Sequence, residues 1–346
     1  MILLQREVVA GLDRPRSGRA IWPSLQQAIE LEHATIPIYL YALYSLDRSK
    51  NAEIAAILES VVNEEMLHMV LAANVLNALG GSPKINTPHF IPSYPGPLPG
   101  GVESSLVVNL APFSQTQLQT FIDIEQPEDP LKFPVLLAAA PEAEQPITIG
   151  QFYTKISQAI AKVGNDAFVK PAPHNQVGPD IVPMSVVVTD VASAQRAIQI
   201  IIEQGEGTST SPREVDGHAY AHYYRYMQVQ KGKRLVPKPP PMNYAYAGIA
   251  IPFDPSGVYA IPTNPKSTSY PQGSPQWLAN NNFNYTYTSL LIALHALLNG
   301  DNTQAQFNVA LGLMMSLKGQ AMAMMSGIPN PTQLVGPSFE YQPVNP

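Results

Sequence analysis

Glu32 lies in the stripe Leu25, Ile29, Glu32, Ile36, Tyr39, Leu43, whose 4-3-4-3-4 spacing is one face of an α-helix that is otherwise apolar. A second stripe of the same kind, Leu58, Val61, Val62, Glu65, His68, Met69, Ala72, Leu76, holds a carboxylate and an imidazole three residues apart. Burying an unpaired charge costs several kcal/mol, so such groups must neutralise, pair or bind a metal. One Glu from a first helix and Glu-x-x-His from the next form half of the dimetal carboxylate site built inside four-helix bundles. These two stripes therefore restrict the fold more than any other feature of the chain.

With 346 residues the chain can bury a substantial core, as one large domain or two smaller ones. A net charge of −6 and a pI near 5.6 give no basis for nucleic-acid or membrane-surface binding. The absence of cysteine excludes disulfides, thiolate metal sites and a Cys nucleophile. The first twenty residues are broken by Arg6, Asp13, Arg14, Arg16 and Arg19, and no apolar run is long enough to span a bilayer, so a cytoplasmic location is expected. The 35 prolines, about twice the average usage, concentrate outside the periodic segments. They imply a helical core dressed with long extended connections.

The periodicity predicts helices over 24–47 and 52–79, joined by a short link as an antiparallel hairpin. Ser24 with Gln27 reads as a capping box, Pro37 as a kink, and Gly80-Gly81 as the stop of the second helix. A Pro/Gly-rich crossover covers 83–114. Further helices are expected at 114–125, 148–163 and 191–204, with a strand at 185–188. Ser211-Pro212-x-Glu214 reads as the start of another helix, leading into HAYAHYYRYMQV. From Lys231 the composition turns to Pro, Tyr, Asn and Gly, before closing helices at 284–298 and 303–325. The division expected is a metal-binding bundle over 1–230, with 231–346 as a connection and a C-terminal helical pair packed on it.

AIELEHATIPIYLYALYSL followed by EEMLHMVLAANVLNALGGSP resembles the ferritin-like domain of the iminophenylpyruvate dimer synthases, the family that includes violacein- and rebeccamycin-type bisindole enzymes. The likeness continues through FIDIEQPE, TIGQFYTKI, IIEQGEGTS, HYYRY, NYTYTSLLIALHALLNG and GPSFEYQP, so it covers most of the chain. It implies an all-α, ferritin-like four-helix bundle, oxidative coupling of imines derived from aromatic 2-oxo acids, and iron dependence.

From the residues themselves, Glu32, Glu65 and His68 are the first candidate ligands, a donor set suited to iron or manganese. Glu203, closing the apolar run AIQIII, is the expected third carboxylate, with Glu206 as partner or alternative. His222 is the expected second imidazole, with His218 four residues before it on the same face. A symmetric site wants Glu three residues before His222, where Ala219 stands, so mononuclear and dinuclear iron both remain open. Gln151 stands where an acidic ligand from the middle helix would be useful. Glu64 reads as a surface or supporting group, Glu125 and Glu128 as helix-end and loop-fixing groups, and His33 as a satisfied polar residue. The tyrosines read as packing, or as the lining of an aromatic pocket. The expected function is an oxidoreductase of specialised metabolism acting on a small aromatic molecule, as a homo-oligomer or alone. A non-catalytic metal-binding or vestigial bundle is the other class.

Overall fold

The computed structural model of the chain describes residue 9 and residues 11–100, 106–127, 130–131, 148–208, 211–214, 219–239, 243–327 and 334–342. Two helices come first: α1 (Trp22–Tyr44) and α2 (Ala52–Ala78). The next four are α3 (Gln115–Glu125), α4 (Ile149–Val163), α5 (Val191–Glu206) and α6 (His222–Lys231). Strands β1 (Lys233–Pro237) and β2 (Tyr244–Ala250) pair antiparallel, and α7 (Pro275–Leu298) and α8 (Gln304–Ser326) follow. The all-α bundle expected from the periodicity is borne out.

Four helices form a ring. α1 packs on α2, α2 on α5, α5 on α4, and α4 back on α1. Each buries the stripe its sequence carries: Leu25, Ile29 and Leu43 on α1, Phe152, Ile156 and Ile160 on α4. Short helices α3 and α6 pack on each other, and α6 also touches α2 and α5. The C-terminal pair α7–α8 packs on the same continuous core.

Helix ends follow their caps. Thr148 and Asp190 open α4 and α5 with reciprocal capping boxes, and Thr303 accepts from the Gln306 amide at 3.1 Å to open α8. Ser24, by contrast, lies inside α1, whose entrance is set by Pro23 in the first turn without a side-chain cap. Residues 211–214 do not begin a helix. Arg213 pairs with Tyr220 as an isolated bridge, and α6 starts only at His222. The strand expected at 185–188 does not form either, because side-chain amides take its backbone groups. Gln176 binds Val188 N (2.6 Å) and Val188 O (2.7 Å), and Asn74 donates to Val186 O (2.9 Å).

α7 begins nine residues before the expected 284, at Pro275 behind the Ser274 cap. Its polar residues Asn280, Asn284 and Thr288 are buried against the tail. Asn280 accepts from Ser338 N, Asn284 from Glu340 N and Thr288 from Gln342 N. Four helical residues advance about 6 Å and two extended residues about 6.6 Å, so the two periods stay in step.

Candidate metal centre

Glu32 (α1), Glu65 and His68 (α2), Glu125 (α3) and His222 (α6) converge at one place, all of them buried. Their donor atoms form two trios, Glu32–Glu65–His68 and Glu65–Glu125–His222, each with its atoms within 4.8 Å of one another. In the first, His68 Nδ1 is 3.3 Å from Glu32 Oε2 and 4.0 Å from Glu65 Oε2. In the second, His222 Nδ1 is 2.9 Å from Glu65 Oε1 and 3.5 Å from Glu125 Oε2. Glu65 thus turns one oxygen to each histidine. The two imidazoles stack with centroids 5.4 Å apart.

The surroundings orient these groups. Tyr153 donates to Glu32 Oε1 and Tyr39 to Glu125 Oε1, each at 2.5 Å, so each outer carboxylate has one phenol. Thr35 donates to Glu65 Oε2 at 3.1 Å. His68 Nε2 meets Gln204 Oε1 at 2.9 Å, and His222 Nε2 meets Glu64 Oε2 at 3.0 Å. An Nε2–H facing an acceptor leaves the Nδ1 lone pair aimed inward, the arrangement expected behind a metal ligand. Glu64 is itself gripped by Arg225, which donates to both of its oxygens (2.8 and 2.9 Å) and to Glu214 (2.6 Å).

Burial pushes Glu65 well above the ordinary carboxylate range, and the charges of Glu125 and Glu32 add to it over the opposing pull of His222. Burial acts on Glu32 in the same direction, but His68 outweighs it and holds that carboxyl low. On His222 burial disfavours the charged form, yet Glu125, Glu64 and Glu65 together draw it well above the histidine range. Tyr39 and Tyr153 are pushed far up by burial and by the neighbouring Glu125 and Glu32, so they stay phenols and donors.

Two observations fit this cluster to a metal. His222 Nδ1 is buried 2.9 Å from a carboxylate oxygen but makes no hydrogen bond. Three buried carboxylates share two imidazoles, which leaves negative charge that a cation would neutralise. Oxygen and imidazole donors together suit hard-to-borderline ions. A cavity of about 30 Å³ adjoins the cluster, lined by Glu32, Glu65, His68, Glu125, Gly150 and Glu206 among others.

A family model described as ferritin-like matches residues 25–231, the stretch that supplies all five of these residues. The chain belongs to the ferritin-like family. A crystal structure of a ferritin-like protein from Caulobacter vibrioides shares the fold, with a TM-score of 0.62 at 22% identity over 93% of this chain and 97% of that one. The 2-imino-3-(indol-3-yl)propanoate dimerase of Chromobacterium violaceum is 25% identical over 296 residues, covering 72% of this chain and 26% of the dimerase. The chain therefore spans about a quarter of that relative's length. The resemblance read in the motifs is borne out by the family model and by the likeness to the dimerase.

In this ferritin-like protein several sequence expectations are placed differently. Glu203 is buried but accepts from Gln199 at 2.6 Å and belongs to neither trio. The face that α5 turns to the core runs Ala194, Ala197, Ile198, Ile201, Gln204, so the neighbouring Gln204 reaches the site instead. Glu206 lines the cavity and accepts from Gly150 N at 2.8 Å, outside both trios. Gln151 closes the capping box of α4 and points to Thr148. His33 turns to the C-terminal pair, with Nε2 2.7 Å from Tyr287 Oη. His218 and Glu128 lie outside the described residues. The Glu missing before His222 is supplied from another helix, by Glu125. It was obscured by its position at a helix end before Pro127, although Leu118, Phe121, Ile122 and Glu125 form a buried stripe of the kind that singled out Glu32.

No helix among the described residues is long and apolar enough to cross a membrane.

Proposed function

We propose that this ferritin-like chain is a metal-dependent oxidoreductase with a dinuclear iron centre, manganese being the alternative ion. Glu32, Glu65 and His68 would hold one ion, and Glu65, Glu125 and His222 the other. The observation that carries this reading is the division of Glu65, whose two oxygens face different Glu/His trios. A bound redox-active ion would supply electron transfer with O₂ or peroxide, or Lewis-acid orientation of an imine or 2-oxo acid. The protein's own residues set the conditions for that chemistry. Tyr39 and Tyr153 fix the outer carboxylates, Thr35 fixes the shared one, and Gln204 and Glu64 hold the imidazoles. Burial and the charges of Glu125 and Glu32 favour the protonated form of Glu65, and a bound cation would favour the ionised one.

The substrate class proposed is an imine of an aromatic 2-oxo acid, coupled or oxidised. Its support is the likeness to a dimerase whose name specifies an indolyl imino acid. On this reading residues 1–230 are the metal-binding unit and 231–346 pack on it. One observation favours a second reading, metal binding without turnover of an aromatic: the cavity of about 30 Å³ beside the centre holds roughly one water.

Elemental analysis after anaerobic loading with Fe(II) tests the centre. About two irons per chain are expected, falling to about one in Glu125→Ala and to a small fraction in Glu65→Ala. Chains that retain no iron or manganese would refute it. Imine consumption by the loaded protein then separates the two readings.

A further inference from the structure

A second cavity, about 90 Å³ in volume, lies between the α1–α2 pair and the α7–α8 pair. None of its lining residues lines the cavity at the metal centre. Phe283, Phe339, Met66 and Met314 contribute rings and thioethers, and aliphatic side chains supply most of the remainder. Polar side chains enter only through His33, Tyr44 and Tyr287. A dry cavity of this kind loses packing contacts, and water is a poor occupant because it wants two to four polar partners.

His33 is buried on the cavity wall. Its Nε2 is 2.7 Å from Tyr287 Oη, and its Nδ1 has no hydrogen-bond partner. Pairing the groups with fewest left unmade has the Tyr287 hydroxyl donate to Nε2, which places the imidazole proton on Nδ1. His33, part of this wall, then carries one unmet N–H donor. Such a buried orphan is destabilising and calls for an explanation. A ligand with an apolar body and one acceptor oxygen would fill the void and satisfy the donor together.

We propose that this cavity binds a small neutral molecule of the ketone or ether class, with its oxygen accepting from His33 Nδ1 and its hydrocarbon body packed among Phe283, Phe339, Met66 and Met314. An apolar cavity of about 150 Å³ takes benzene, so in proportion about four non-hydrogen atoms fit here without movement of the methionines. Such a ligand would tie the C-terminal helices to the bundle and is independent of any metal.

The test is calorimetric titration of the full chain with acetone and with isobutene, which match in shape and differ in the acceptor. Because the ketone also gives up hydrogen bonds to water, the quantity read is the ratio of the two affinities, which is expected to shift against acetone at least fivefold in His33→Leu, the lower end of what pairing a buried donor gives. Leu291→Trp, which fills the cavity, is expected to abolish binding of both while far-UV circular dichroism and metal content stay unchanged. An unchanged ratio in His33→Leu would overturn the role of His33. Binding of neither probe, or undiminished binding in a folded Leu291→Trp chain, would overturn the site.

Discussion

Replacing Arg225 with Met should be among the most damaging single changes outside the hydrocarbon core. The guanidinium is nearly buried and spends all its donors: on Tyr220 O, on Ser60 Oγ, on both oxygens of Glu64 and on Glu214. Burial pushes the Glu64 carboxyl up, but His222 and Arg225 outweigh it and hold it at about 2 against an ordinary 4.5. That difference corresponds to roughly 3 kcal/mol favouring the charged form. Met would remove one of the two cations from this balance and leave Glu214 facing Glu64 in a site where their side chains are only 10% and 21% exposed. Breaking a buried ion pair from one side costs about 3–5 kcal/mol. The expected loss is therefore about 3 kcal/mol, measured by urea unfolding of chelator-treated protein at pH 7. Because the carboxyl is depressed in the folded chain, its contribution is complete above about pH 4.5 and disappears as the pH falls toward 2. The deficit of Arg225→Met should shrink over that window. Adding Glu64→Gln and Glu214→Gln should restore most of the loss, since no charge is then left unpaired. A deficit under about 1 kcal/mol, or a triple variant no better than the single one, would refute the reasoning.

Gly150→Ala should destabilise by about 1–3 kcal/mol, because an added Cβ would lie 2.3 Å from Glu206 Oε2. Thermal unfolding should show recovery when Glu206→Ala is combined with it. The His33 imidazole is held by burial at about 3 against an ordinary 6.5. Between those values the unfolded chain takes up a proton that the folded chain refuses, so stability falls as the pH drops from about 6.5 to about 3, at roughly 1.4 kcal/mol per pH unit. The stability of the parent chain relative to His33→Leu should therefore fall by about 2 kcal/mol from pH 7 to pH 5, and parallel urea-midpoint profiles would contradict this.

The parts of this molecule that were legible in the sequence are those whose partners lie on the same helix or the next one. The stripes around Glu32 and Glu65–His68 declare a buried face, and the hairpin that joins them is short. Glu203 lies outside both trios because an apolar run predicts that a helix is buried without fixing which residue at its end faces the cluster. One step of about 100° separates Glu203 from Gln204. The starts of α6 and α7 were missed for a related reason. Arg213 and Tyr220 pair with each other in place of a first helical turn, and Asn280 and Asn284 look solvent-facing until the tail around Ser338 arrives to bind them. Glu125 could have been found by giving its buried stripe more weight than the proline two residues later.

The shared position of Glu65 has a consequence for the order of assembly. Glu32, Glu65 and His68 all belong to one helical hairpin, so the first trio needs only local chain closure. Glu125 and His222 must come from far along the chain, after the crossovers have been laid down and α3 has met α6. Local contacts form before distant ones because less loop entropy is lost. Glu65 thus turns one oxygen to a trio that closes early and keeps the other for the half that arrives late, so that one side chain ties the last-formed contacts of the site to the first.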